Sequence, residues 1–254
     1  MHPPHVVDRA RSLYRGGMPV RSVAAAVGVP ERTVRHWCTG TRRTGDPRRT
    51  RARCFRCAPG IDVPVADYAY LLGMYLGDGH LTAAQRTHCL WIYCGDDWPG
   101  IIDDVRAATA AVLPGASVST TPRAGSTAVK CFSRHWTCLF PQHGPGMKHT
   151  RPIRLEPWQR AVVDTRPDRF LRGLFHSDGC RTTNRVRAVL ADGSVREYSY
   201  PRWFFDNTSE DIMRLAEGAL DLLGIAHRRA RRTCLSVARA DAVAELDAAI
   251  GPKT

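Results

Sequence analysis

Lysine is nearly absent: Lys130, Lys148 and Lys253 are the only three among 37 basic residues. Arginine saturation of this kind is a codon-composition effect, so the lysines that remain stand out. The sequence also lacks any apolar run near the roughly 20 residues needed to cross a bilayer, and it has no charged-then-apolar secretory leader at its start. Acids are in deficit, 24 against 37 bases, which gives a net charge of +13. Nine cysteines is an odd number and follows no leader, which argues for reduced thiols rather than a disulfide framework. A soluble, cytoplasmic protein with no membrane partner is expected, nucleoid-associated if bacterial. With 254 residues and 43% apolar content there is enough chain for a large core or two domains.

What is present is a repeat. Leu71-Leu72-Gly73-Met74-Tyr75-Leu76-Gly77-Asp78-Gly79 returns one hundred residues later as Leu171-Arg172-Gly173-Leu174-Phe175-His176-Ser177-Asp178-Gly179. Small residues four apart (Gly73 and Gly77, Gly173 and Ser177) clear one stripe of a helix, so two such helices can pack with their backbones close together. The glycine after each Asp fits a left-handed C-cap that ends the helix. The Asp itself is badly placed, because a carboxylate in the last turn opposes the helix dipole at a cost on the order of 0.3–1 kcal/mol. Two of them brought together repel unless cations lie between them. Asp78 and Asp178 are therefore candidate ligands for a hard divalent metal, Mg²⁺ with Mn²⁺ as a substitute.

The parallels extend downstream. Trp91-Ile92-Tyr93, Gly95-Asp96-Asp97 and an amphipathic stretch to Leu113 match Trp203-Phe204-Phe205, Asn207-Thr208-Ser209 and a stretch to Leu223. Each half reads helix, hairpin, capped helix, hairpin, helix. Asp96 or Asp97 and Thr208 or Ser209 are natural N-caps for the middle helices, and Ser133 to Phe140 and Arg239 to Ile250 suggest the last ones. The tryptophans are 112 residues apart against 100 for the motifs, so the second half carries a twelve-residue insertion, most simply a longer hairpin through Asp192-Gly193.

This pattern resembles the LAGLIDADG homing endonucleases in their single-chain, two-motif form, from about Asp67 onward. Both segments have Gly at the third position, acid at the eighth and Gly at the ninth. The family's sixth-position acid is replaced by Leu76 and His176. The resemblance implies an α+β fold, a pseudo-twofold pair of αββαββα repeats forming a DNA-binding saddle. It further implies that Asp78 and Asp178, helped by the carbonyls of Gly79 and Gly179, hold Mg²⁺ at the dyad, and that each site places a basic residue near the scissile phosphate. The halves end alike, Gly144-Pro145-Gly146-Met147-Lys148 against Gly251-Pro252-Lys253, so internal symmetry nominates Lys148 and Lys253; a solvated lysine is the plain alternative. The family's product is a double-strand break with a short 3′ overhang. Two motif copies in one chain imply a monomer on an asymmetric site. Neither end carries intein splice-junction residues, so a free-standing protein is expected.

Residues 1–57 hold thirteen arginines against Asp8, Glu31 and Asp46, a balance of +10 that leaves +3 for the rest. Within them Val6 to Tyr14, Pro19 to Val27 and Pro30 to Trp37 suggest three helices. Ala24, Gly28, Val34 and Trp37 fall where a helix-turn-helix needs a small contact, a tight turn and two core anchors. Its recognition helix would point Glu31, Arg32, Thr33, Arg35 and His36 at a major groove; a small bundle with no DNA role is the alternative. Arg42, Arg43, Arg48, Arg49, Arg51, Arg53 and Arg56, broken by Gly45 and Pro47, read as a linker lying along phosphates. The expected organisation is a helix-turn-helix domain over 1–41, an Arg-rich linker over 42–66, and repeats over 67–150 and 151–254.

Alternation along a strand puts Arg185 and Arg187 on one face, and Arg196 from the insertion joins them as a candidate DNA contact. Cys54 and Cys57 have the spacing of half a zinc site. A second pair would have to come from Cys89 and Cys94, or from Cys131, His135 and Cys138, at no recognised spacing, so ordinary reduced cysteines are expected instead. His143 and His149 in a Gly/Pro loop fall short of a ligand set. Helix aromatics such as Tyr68, Tyr70, Tyr75, Phe170 and Phe175 are expected in the core. The function expected is Mg²⁺-dependent, sequence-specific cleavage of double-stranded DNA. Two alternatives use the same saddle, a non-cleaving transcriptional regulator and an intron RNA maturase.

Overall fold

The protein is described from a computed structural model in which residues 2–39, 54–58, 60–85, 87–189 and 193–253 are described. The chain divides into two compact units, residues 1–51 and 52–254.

The first unit is three short helices, α1 (Pro4–Arg15), α2 (Val20–Val27) and α3 (Glu31–Cys38). Each has a proline at its entry, Pro4 as the first residue of α1 and Pro19 and Pro30 at the N-caps of α2 and α3. Gly28 ends α2 in the left-handed conformation, φ 64°, the turn that only glycine makes without strain. Val7, Ala10, Val23, Ala24, Val29, Val34 and Trp37 form a small core. On α3 the burial of Val34 and Trp37 leaves Arg32, Arg35 and His36 exposed and Thr33 half-buried; Arg35 pairs with Glu31 at 2.6 Å. Arg42, Arg43, Arg48 and Arg49 lie outside the described residues.

The second unit repeats one topology. Its first half runs α4 (Val65–Leu76), β1 (Gly79–Ala84), β2 (Thr87–Gly95), α5 (Pro99–Val112), β3 (Val118–Arg123), β4 (Ser126–Ser133) and α6 (Trp136–Leu139). After α7 (Pro157–Thr165), the second half runs α8 (Pro167–Asp178), β5 (Gly179–Val189), β6 (Val195–Asp206), α9 (Glu210–Leu222), β7 (Arg228–Arg231), β8 (Cys234–Val237) and α10 (Ala240–Ile250). The strand orders are β1-β2-β4-β3 and β5-β6-β8-β7, all antiparallel, so each half is an αββαββα unit. No helix among the described residues is long and apolar enough to span a membrane.

The two halves meet along α4 and α8. Every residue of α4 from Tyr68 to Leu76 is buried, the pattern of a helix enclosed on all sides. At their crossing Gly73 and Gly173 are in backbone contact: a Cβ on Gly73 would lie 2.8 Å from the Leu174 nitrogen, and one on Gly173 equally close to that of Met74. The small-residue stripe thus does what its spacing predicts.

Other expectations need correction. Neither Gly79 nor Gly179 has a positive φ, so neither is a left-handed cap. Both are glycine because a Cβ would press, at 2.5 Å, on the preceding turn, at Tyr75 Cα and at the Phe175 carbonyl respectively. Asp96 and Asp97 do not cap α5; Trp98 is its N-cap, with Pro99 at N1. Ser209 does cap α9, accepting from the Ile212 N–H. The expected helix over Ser133 to Phe140 shrinks to α6 because β4 continues to Ser133.

The insertion falls in the β5–β6 hairpin as expected. However, the last pair of the ladder is Val189 opposite Val195, too far apart in sequence for a two-residue turn. Gly193 takes φ 80°, and Asp192 lies outside the described residues.

The connector between halves is not loose chain. It forms a 3₁₀ turn at Lys148–Thr150 and then α7, whose Gln159 is fully buried. That amide accepts from Gln142 at 2.6 Å and donates to the Tyr68 hydroxyl at 2.7 Å, while Tyr68 donates to the Leu139 carbonyl at 2.5 Å. Such closed polar networks fix one arrangement of the elements that share them.

Candidate active site

Asp178 is the last residue of α8 and Asp78 lies two residues past the end of α4, the two helices being held together by the contact of Gly73 with Gly173 at the other end of the stripe. A Cβ added to Gly77, one turn below, would lie 3.2 Å from the Asp178 carboxylate, so small residues let the acids approach the crossing. Asp78 is exposed to solvent and Asp178 is half-buried. Desolvation by the surrounding protein raises the proton affinity of Asp78, and Lys148 and Lys253 pull it back down. Asp178 is raised further, from 3.8 to about 6, by burial first and then by the charge of Asp78. The Asn207 amide donates to it at 2.7 Å and opposes that rise.

Each lysine serves the helix of its own half. Lys148 Nζ donates to the carbonyls of Tyr75, Leu76 and Gly77 at 2.6, 2.8 and 2.5 Å. Lys253 Nζ donates to the Gly179 carbonyl at 2.5 Å. A cation at a helix C-terminus complements the dipole that the aspartates oppose. Burial lowers Lys148 to about 8, against the pull of Asp178 and Asp78; burial also lowers Lys253, against Asp78 first. Both ammonium groups thus lie against backbone carbonyls at the ends of the helix pair. Of the two carbonyls expected to help hold the metal, that of Gly179 accepts from Lys253, and Gly79 starts β1 opposite Ile92. A groove of about 680 Å³ lies over the site, lined by Gly77, His80, Lys148, Asp178 and Asn207 among others.

A carboxylate held at a raised pKa is a liability for the metal-free fold. Asp178 binds its proton more tightly when folded than when unfolded. Its contribution to stability is therefore full below about pH 4 and is lost as the pH rises through about 6. Asp178→Asn is expected to stabilise the metal-free protein at pH 7.5 by about 2 kcal/mol, after allowance for partial exposure, and to give no gain at pH 4. Thermal unfolding at the two pH values checks this; equal effects at both would contradict it.

The sheet faces turned away from the helices are defined by register, since cross-strand partners share a face. In the first half, Leu90, Ile92 and Cys94 face the core, while His80, Trp91, Tyr93 and Lys130 face out. His80 stacks at 5.7 Å on Tyr93, and Lys130 sits 5.4 Å over the Trp91 ring. In the second half, Trp203 and Phe205 face the core, so Arg196, Tyr198, Tyr200, Arg202 and Phe204 face out. Arg202 lies 4.5 Å over Phe204 and donates to Ser236 at 2.7 Å.

No family model matches the sequence, and no curated protein does. Among solved structures, the homing endonuclease I-DmoI, in a study of its mesophilic variants, aligns at TM-score 0.49 and 14% identity, covering 73% of this chain and 89% of its own. The N-terminal LAGLIDADG domain of DUF199/WhiA aligns at TM-score 0.46 and 15% identity, over 78% and 88%. The I-SmaMI LAGLIDADG homing endonuclease bound to cleaved DNA aligns at 0.46 and 9%, over 76% and 85%.

Within the second unit, the arginines expected to contact DNA together separate. Arg185 pairs with Ser199 and Arg187 with Glu197, on the face that carries Trp203, whereas Arg196 pairs with Ala188 on the other. Arg196 therefore does not join Arg185 and Arg187, and Arg187 is held by Glu197 at 2.6 Å. Sequence reasoning missed Asn207 as a partner of Asp178, and His80, Trp91 and Arg202 as outward residues. In β2 nearly every position is apolar or aromatic, so alternation gave no signal there.

His176 stands where the family's sixth-position acid would be. It is buried, with burial lowering it to about 3, and its Nδ1 lies 3.3 Å from the Tyr70 hydroxyl. It is a neutral packing residue of the helix pair.

Proposed function

We propose that this protein is a divalent-metal-dependent, sequence-specific endonuclease of double-stranded DNA, working as a monomer on an asymmetric site. The observation that carries the reading is the acid pair, Asp78 and Asp178, at the ends of two helices packed through Gly73 and Gly173, with Lys148 and Lys253 beside them. Two hard carboxylates, the charge of Asp78 adding to burial in raising the proton affinity of Asp178, are a fitting donor set for Mg²⁺, with Mn²⁺ able to substitute. When bound, such an ion supplies an activated water and stabilises the attacking and leaving oxygens of a phosphodiester displacement. Asp78 and Asp178 bind it, each chiefly serving one strand. Asn207 orients the Asp178 carboxylate, and Lys148 and Lys253 place positive charge where the scissile phosphates lie.

The outward sheet faces receive the duplex, and the first unit adds contacts through Arg32, Thr33, Arg35 and His36 on the second helix of its helix-turn-helix. Arg42, Arg43, Arg48 and Arg49 in the linker neutralise phosphates. Arg196→Ala is expected to weaken duplex binding severalfold and to reduce the salt-dependence slope by about one, with Arg185→Ala much weaker in effect because Arg185 is on the opposite face. Titration of a bound duplex at two salt concentrations checks it; equal losses would remove the assignment of faces.

One observation favours a non-cleaving regulator on the same fold. Three carbonyls surround the Lys148 ammonium, the arrangement of a helix cap. Incubation of a randomised duplex pool with Mg²⁺, followed by sequencing of ends and of bound DNA, separates the readings. Cut ends at one asymmetric site support the endonuclease, and selective binding without ends supports the regulator.

A further inference from the structure

Cys54 and Cys57 were expected to lack partners, because no second pair in the sequence has a familiar spacing. The fold supplies one from 78 residues or more downstream. The ligand atoms of Cys54, Cys57, His135 and Cys138 all lie within 4.8 Å of one another. Cys138 Sγ is 3.6 Å from Cys54 Sγ and 3.3 Å from Cys57 Sγ. A tetrahedral zinc with Zn–S bonds of about 2.3 Å sets its sulfurs roughly 3.8 Å apart, whereas a disulfide needs about 2.05 Å. The four side chains are thus gathered at metal spacing and not at bonding distance.

Two local structures present them. Cys54 to Ala58 is a turn in which the Cys57 and Ala58 N–H groups both donate to the Cys54 carbonyl at 3.0 Å. This is a CxxC knuckle with both sulfurs on one side. His135 and Cys138 are three apart at the start of α6, which puts them on one helical face. The knuckle is also fixed from outside the cluster. Phe55 packs edge-on against Tyr68 and Trp158, at 5.6 and 5.7 Å, and Arg56 lies 4.7 Å over Trp158.

We propose that Cys54, Cys57, His135 and Cys138 form a structural zinc site. Three thiolates and one imidazole with no open position suit Zn²⁺ and a structural role. The ion fastens the segment entering the second unit to α6, beside the packing of Phe55 on Tyr68 of α4. It is a soft-donor site, independent of the hard-donor acid pair, and it takes no part in cleavage.

The full chain, purified without chelator, is expected to carry one zinc per molecule by elemental analysis. Cys57→Ser and Cys138→Ser are expected to lose it, and Cys38→Ser, in the first unit, to keep it. Exposed Cys57 should resist alkylation until a strong chelator is added. Cobalt added to the stripped protein should give the visible absorption of a tetrahedral thiolate site. The alkylation and cobalt readings use the unsubstituted chain, so they hold even where a variant fails to fold. Full zinc retention in Cys57→Ser, alkylation of Cys57 at the same rate with and without chelator, or a mass lower by two hydrogens showing a disulfide, would each overturn the site.

Discussion

Asp78→Asn together with Asp178→Asn is expected to lower duplex cleavage by ~10³-fold or more while leaving affinity for the same duplex little changed. Asparagine keeps the shape of each side chain, and its carbonyl can still accept the 2.7 Å hydrogen bond from Asn207. What it removes is the negative charge that collects a divalent ion. Each acid belongs to one half of a pseudo-symmetric pair, so single variants are expected to accumulate nicked duplex, with opposite strands nicked in the two. Gel separation of the strands checks this. A double variant that cuts at the original rate would exclude these carboxylates from the chemistry.

The largest effect on stability is expected at the helix crossing. A methyl group on Gly73 would meet the Leu174 nitrogen at 2.8 Å and press still harder on the Phe170 carbonyl, and one on Gly173 would meet Met74 and Tyr70 in the same way. All four contacts are backbone, which cannot rotate aside as a side chain can. Relief requires α4 and α8 to separate, and these helices carry the centre of the core. Gly73→Ala and Gly173→Ala are each expected to destabilise the second unit by about 3 kcal/mol or more. Gly218→Ala, on α9 with open space at its Cβ position, is the control and should be neutral or slightly stabilising. Denaturant unfolding of the three variants checks the order; a mild Gly173→Ala would mean the helices are not in backbone contact.

The repeat made much of this legible in advance. Internal comparison located the helix pair, the order of elements in each half, both acids and both lysines, because a duplicated pattern provides its own control. Gly28, Val34 and Trp37 marked the turn and core of the first unit for a local reason, since each acts within a few residues.

What stayed hidden depended on contacts between distant segments. Gly79 and Gly179 were read as backbone-conformation glycines, but the reason for them is the turn packed above, which no local rule shows. The packing of Gln159 against Tyr68 places α7, and its partner is 91 residues away. Cys54 and Cys57 meet His135 and Cys138 only because α6 follows a complete ββαββ excursion. The faces of β5 and β6 were ambiguous because the insertion's register could not be known until Val189 was seen opposite Val195.

On the proposed function, Asp78 and Asp178 gather divalent cations where the two halves meet, each acid chiefly serving one strand. Mn²⁺ binding to the protein–duplex complex, followed by electron paramagnetic resonance in the wild type and in the Asp78→Asn/Asp178→Asn variant, tests this most directly. Bound Mn²⁺ is expected in the wild type and its loss in the variant, with zinc content the same in both. Equal Mn²⁺ binding in the two proteins would contradict it.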